Sequence, residues 1–114
     1  MPLPKEDTLY RTLPYSIIVA DTFAARFKGL MFRKDPIVNE CLLIAPCNSI
    51  HMFFMNFSID AVFLDEQHRI IKLARDLQPW SIVKPVKEAR SVLELPPGSI
   101  VKLDLMIQQV IELP

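Results

Sequence analysis

The sequence predicts a mainly β fold, a single-domain antiparallel sandwich or barrel carrying one short helix, and three observations predict it. About seven apolar runs of strand length follow one another with polar or proline-containing joints between them. One of these runs is periodic: Val101, Leu103, Leu105 and Ile107 alternate with Lys102 and Asp104, the pattern of a strand with one face buried. By contrast, a single stretch between residues 21 and 30 reads as a helix. At 114 residues the chain makes one domain, able to bury roughly two thirds of the surface of its unfolded form.

The elements follow in order. Residues 1–14 hold three of the ten prolines and no periodic pattern, as expected of a loose N-terminal arm or an edge segment, and residues 15–114 form the β-rich domain. Tyr15 to Ala20 is short and β-branched, a strand. Asp21-Thr22 offers a capping oxygen, Phe23, Phe27 and Leu30 recur at helical spacing, and Gly29 ends the helix. Lys34-Asp35-Pro36 is a turn. Cys41 to Ala45, stopped by Pro46, reads as a strand buried on both faces, and Ile50 to Met55 and Ile59 to Leu64 as two more. Asp65 to His68 is a hairpin turn into a strand at Arg69 to Leu73, and Leu77 to Lys87, with Trp80 and two prolines, is a structured loop. Ser91 to Leu95 is a strand ended by Pro96-Pro97-Gly98, Ile100 to Ile107 the periodic strand, and Gln108 to Leu113 its extension or an edge. With two glycines in the chain, tight primed turns are few and the connections are longer or made by Asn and Asp.

Thirteen basic residues balance thirteen acidic ones, which leaves no net field to attract a nucleic acid or an anionic membrane. A hydrophobic fraction of 51% and a mean hydropathy of +0.26 point to a rich core, or to an apolar face for a ligand or partner. Cys41 and Cys47 are too few for a disulfide framework and read as reduced thiols in apolar sequence, with a single bridge between them left open. No secretory leader or membrane span is legible, so the expected location is the cytoplasm.

The order of blocks also carries a resemblance. Ala25-Arg26, Gly29-Leu30-Met31-Phe32-Arg33, an apolar strand, Ile50-His51, Phe54-Met55, Ile59-Asp60, Phe63-Leu64-Asp65 and finally Val92-Leu93-Glu94-Leu95-Pro96 with Gly98 resemble the uncharacterised bacterial and archaeal proteins of domain-of-unknown-function family 192, over about residues 24–105. The resemblance implies a mostly β single domain of sandwich or jelly-roll type, with no established activity or cofactor. Two blocks depart from the commoner pattern: Cys41-Leu42-Leu43-Ile44 replaces Gly-Met-Leu-Phe, and Phe54-Met55-Asn56-Phe57-Ser58 replaces Trp-Met-Lys-Asn-Thr.

The residues able to carry chemistry gather around the most apolar stretch, Cys47 to Asp65. Cys47, His51 and Met55 would form a stripe of soft metal ligands on a helix. On a strand they spread over about 26 Å, so no metal or cofactor is expected. His51, between Ile50 and Met52, must be either paired in the core or reachable from a cleft, where it would act near neutral pH. Asp60 either holds backbone amides or faces the same cleft. Alternation places Glu94 on the face of Val92; if that face is buried its charge calls for a cation, with Arg26, Arg33 and Arg90 available. Trp80 closes over a pocket, anchors a partner or simply lids the core.

No phosphate loop, nucleophile elbow or paired-histidine motif is present. The leading expectation is therefore a non-catalytic β domain binding a small molecule or a protein at a cleft rimmed by Arg26, His51, Asp60, Trp80 and Glu94. A hydrolase or isomerase using His51 with Asp60 or Glu94 is the alternative, and a subunit of a homo-oligomer the third.

Overall fold

The computed structural model describes residue 4 and residues 8–113. Of the expected N-terminal arm, residues 1–3 and 5–7 lie outside the described residues. Along the described chain run β1 (Tyr10–Arg11), β2 (Ser16–Ala20), α1 (Phe23–Lys28), β3 (Glu40–Ile44), β4 (Ile50–His51), β5 (Ile59–Leu64), β6 (Ile70–Leu77), β7 (Ile82–Val83), β8 (Ser91–Leu95), α2 (Ser99–Lys102) and β9 (Val110–Ile111). The fold is mainly β, as the sequence predicts. Its centre is a five-stranded sheet in the order β2-β3-β8-β5-β6, and two small ribbons, β1-β9 and β4-β7, flank it.

Every residue of β5 and β8 is buried, because both faces of the sheet are covered; such strands read as continuous apolar runs and not as alternation. On one face Leu42, Ile44, Ala61, Phe63 and Val92 join Ile50, Met52 and Met55 in a core. On the other, Cys41, Val62, Leu64, Leu93 and Leu95 pack with Ile100, Leu105 and Ile111. The sheet order is linear, with β2 and β6 as edges, so among the described residues no barrel closes. Pairing is antiparallel in the centre, but β2-β3 and β1-β9 run parallel, which apolar patterning alone does not reveal.

Two predicted strands are corrected. Of Ile50 to Met55, only Ile50–His51 is extended. The buried residues beyond it are Met52 and Met55, three apart, with Phe53 and Phe54 turned outward. That spacing belongs to a turn, and left-handed Phe54 (φ 60°) reverses the chain. The periodic stretch Ile100 to Ile107 is not a strand either. Left-handed Gly98 (φ 86°) leads into α2, whose backbone bonds run from Lys102 N to Gly98 O and from Leu103 N to Ser99 O, both 2.9 Å. Asp60 fixes that start by accepting from the Ile100 amide at 2.8 Å, a tertiary bond that outweighs the weak preference of the alternating sequence for extension.

Candidate functional site

Strand register puts an acid in the middle of the sheet. Glu94 lies on the central strand β8, opposite Leu42 on one side and Ala61 on the other, and its side chain shares the face of Val92. It is fully buried, and its Oε1 has no hydrogen-bond partner. Burial without compensation pushes the carboxyl up to about 7. Of the arginines the sequence offers as its cation, Arg33 pairs instead with Glu40. Arg26 comes to the same cavity without forming an ion pair.

That cavity, of about 40 Å³, opens between α1 and the sheet and is lined by Arg26, Phe27, Cys47, His51, Met55 and Glu94. Helix α1 forms one wall. Thr22 caps it, its hydroxyl accepting from Ala25 N at 3.1 Å, and the helix stops at Gly29. Glycine is required there for two reasons: its backbone (φ 50°, ψ −123°) lies where L-residues are strained, and a Cβ would stand 3.2 Å from Glu94 Oε1.

His51, at the end of β4, forms the opposite wall. Its Nε2 lies 3.3 Å from the carbonyl of Phe27. A carbonyl only accepts, so Nε2 donates in this contact, and in the tautomer protonated there Nδ1 is a bare acceptor. Nδ1 is buried and has no partner. Cys47 donates its thiol proton to Ser49 O at 3.0 Å and is raised in pKa by burial. Both cysteines are free thiols; Cys41 belongs to the other face of the sheet, where burial raises it to about 11.

Of the five residues predicted for the site, the structure brings together Arg26, His51 and Glu94. Asp60 points into the other core, where Oδ1 accepts from Asp76 N at 2.9 Å and Oδ2 from Ile100 N at 2.8 Å. It is a structural tie between β6 and α2. Trp80 stands outside the cavity on an exposed aromatic row. Ring centroids link Phe23 to Phe27 (6.5 Å), Phe27 to His51 (5.6 Å), His51 to Phe53 (5.2 Å), Phe53 to Trp80 (5.9 Å), Trp80 to Phe54 (4.9 Å) and Phe54 to Phe32 (5.1 Å). The six Phe and Trp side chains are 40–77% exposed.

Backbone bonds hold the row in place. Trp80 N donates to Met52 O and Met52 N to Ser81 O, each at 2.7 Å, and Phe32 N donates to Phe54 O at 3.0 Å. Sequence reasoning missed the phenylalanines because Phe23 and Phe27 look like the buried stripe of an amphipathic helix. It missed the role of Gly29 as well, although one of only two glycines, one block from Arg26, was a signal. Among the described residues no group of three or more His, Cys, Asp and Glu side chains is placed to hold a metal, and no helix is long and apolar enough to cross a membrane.

Comparison with known proteins gives a consistent picture. The family model DUF192, described as an uncharacterized ACR, matches residues 6–113. A UPF0127 protein of Thermococcus sibiricus is 43% identical over 88 residues, covering 72% of this chain and 55% of that protein. A UPF0127 protein of Pyrococcus horikoshii is 40% identical over 83 residues, covering 70% of this chain and 71% of its own. The chain spans under three fifths of the length of the Thermococcus relatives it matches. A crystal structure of a protein of unknown function from Novosphingobium aromaticivorans superimposes with a TM-score of 0.73 at 22% identity, over 82% of this chain and 71% of that one; the likeness shows a shared fold.

Proposed function

Starting from the fact that the chain belongs to the uncharacterised family DUF192, we propose that it is a binding module, whose small organic ligand puts a polar head into the cleft between α1 and the sheet and lays its body against the aromatic row. The observation that carries this reading is a pair of buried, unsatisfied acceptors, Glu94 Oε1 and His51 Nδ1, on two residues that line one cavity. Buried polar atoms are nearly always hydrogen-bonded, and one left bare costs about 1–3 kcal/mol. Two in one cleft support a partner that arrives from outside. The row next to it exposes apolar surface of the kind that marks a binding site. Two free thiols and no disulfide among the described residues support the cytoplasm as its compartment.

A thermal-shift screen of the intact chain against a panel of small metabolites tests the proposal. A ligand present at a hundred times its Kd stabilises the native state by about 2.7 kcal/mol, and His51→Ala should abolish the shift. A panel without hits, or hits that His51→Ala and Glu94→Gln leave untouched, removes the cleft from consideration.

A second reading, acid–base chemistry by His51 and Glu94, is favoured by one observation: the carboxyl stands near 7, where proton transfer at neutral pH is efficient. Recovery of the ligand chemically unchanged after prolonged incubation decides for binding alone.

A further inference from the structure

We propose that the cleft takes a dipolar ligand, a small molecule with a protonated amine at Glu94 and His51 and an acid group at Arg26; this rests on the cleft being the binding site. The first argument is a separation of charge. Glu94 and Arg26 line one cavity, yet no ion pair joins them, and among the described residues the guanidinium of Arg26 bonds only the Asp21 carbonyl, at 3.4 Å. Both act on the Cys47 thiol, Glu94 raising it and Arg26 lowering it, so both charges are felt at the same sulfur. Lys28 also lines the cavity and adds to the positive side. A cleft that holds opposite charges apart is complementary to a ligand that does the same.

The second argument is the match of donors and acceptors. Glu94 Oε1 and His51 Nδ1 are acceptors without donors. An ammonium group brings three donors and no acceptor, so it serves both; a carboxylate in that place would set lone pair against lone pair. The rings of Phe27 and Phe53 flank His51, with centroids 5.6 and 5.2 Å away, and aromatic faces attract an ammonium. The third argument is size: about 40 Å³ admits a head group equivalent to a few waters, which leaves the remainder of the molecule at the rim.

Calorimetric titration of the full chain with glycine, β-alanine, γ-aminobutyrate and L-phenylalanine tests this, with phenethylamine and 3-phenylpropionate as singly charged analogues. The expected result is that at least one amino acid binds tenfold or more tightly than either analogue, and that Glu94→Gln and Arg26→Gln each erase the difference. Affinity should also fall below pH about 7 as Glu94 takes up its proton. Arg26 and Lys28 from α1, Cys47 from the loop before β4 and His51 from β4 are the charged and titratable groups facing it. Equal affinity for an analogue that His51→Ala abolishes overturns the dipolar ligand and keeps the cleft, as does a panel metabolite that binds at His51 when no amino acid does. Binding that survives both charge substitutions places the ligand elsewhere and overturns the proposal. Absence of any ligand from either panel removes it together with the binding reading.

Discussion

Two buried acids on adjacent strands of one sheet have opposite fates, and the difference lies in what each carboxylate meets. Asp60 meets two backbone amides; hydrogen bonds to a charged acceptor contribute about 1.5–3 kcal/mol each. Asp60→Ala should therefore lower stability by about 3 kcal/mol or more in urea unfolding, with ligand affinity at the cleft unchanged because Asp60 faces the other core. Glu94 meets none at Oε1, so its burial is unfavourable when it is charged. Its pKa is about 7 in the native state against an ordinary 4.5, so between those values the folded protein holds more protons than the unfolded one, and stability falls as pH rises through that window. At 1.36 kcal/mol per pH unit the loss approaches about 3 kcal/mol by pH 8. Glu94→Gln should be the more stable form at pH 8 by up to that amount and equal to wild type at pH 4, as measured by urea midpoints at both values. A variant no more stable than wild type at pH 8 would mean that something in the fold already neutralises the carboxylate. From the sequence both acids look alike, each an isolated charge in an apolar run. Alternation reveals the face of Glu94, but no local signal reveals that the amides of Asp76 and Ile100 converge on Asp60.

At the scale of elements, legibility follows how much of an element is decided within itself. Strands β2, β3, β5 and β8 are legible because their apolar runs are continuous and end at Asp21, Pro46, Asp65 or Pro96. Helix α1 is legible from its cap and its glycine. The turn at Met52–Met55 and helix α2 are not, since backbone bonds to Ser81 and the carboxylate of Asp60 decide them from a distance. Helix α1 is also the exposed wall of the cleft. It has six residues and none of them is buried, and a helix so short has little stability of its own. Thr22→Ala, which removes the cap, should cost about 1 kcal/mol and weaken ligand binding, since Arg26 and Phe27 ride on this helix. Gly29→Ala places a Cβ against Glu94 and asks an L-residue to hold a positive φ. The expected loss is about 1–2 kcal/mol, read from thermal unfolding, and the variant should bind less tightly than Thr22→Ala because the new methyl narrows the cleft floor.

For the molecule as a whole, the paucity of glycine turns out to matter in a different way from the one its sequence suggests. Asn39, Asp76 and Asp104 do supply left-handed turns, as expected, but so do Phe32 (φ 66°), Phe54 (φ 60°) and Trp80 (φ 71°). Bulky aromatic residues in that region are uncommon and strained by about 1 kcal/mol or more each, and these three belong to the exposed row beside the cleft. Their rings are largely in water, so the fold recovers little of that strain by burying them. Strain retained at an exposed patch, where glycine would relieve it, supports the proposal that the row is kept for what it meets. The consequence is an inverted substitution order. At an ordinary position Ala is more stable than Gly; at Phe32, Phe54 and Trp80 the Gly variant should exceed the Ala variant by about 1 kcal/mol. Neither Trp80 variant should lose the 3–5 kcal/mol of a truncated core aromatic, while both should bind the cleft ligand less tightly than wild type. Urea midpoints for the three Ala and Gly pairs, measured beside ligand affinity, separate the alternatives: a core-sized loss at Trp80 with affinity intact would make the row a lid on the hydrophobic interior, and stability near wild type with affinity lost would make it the outer half of the binding site.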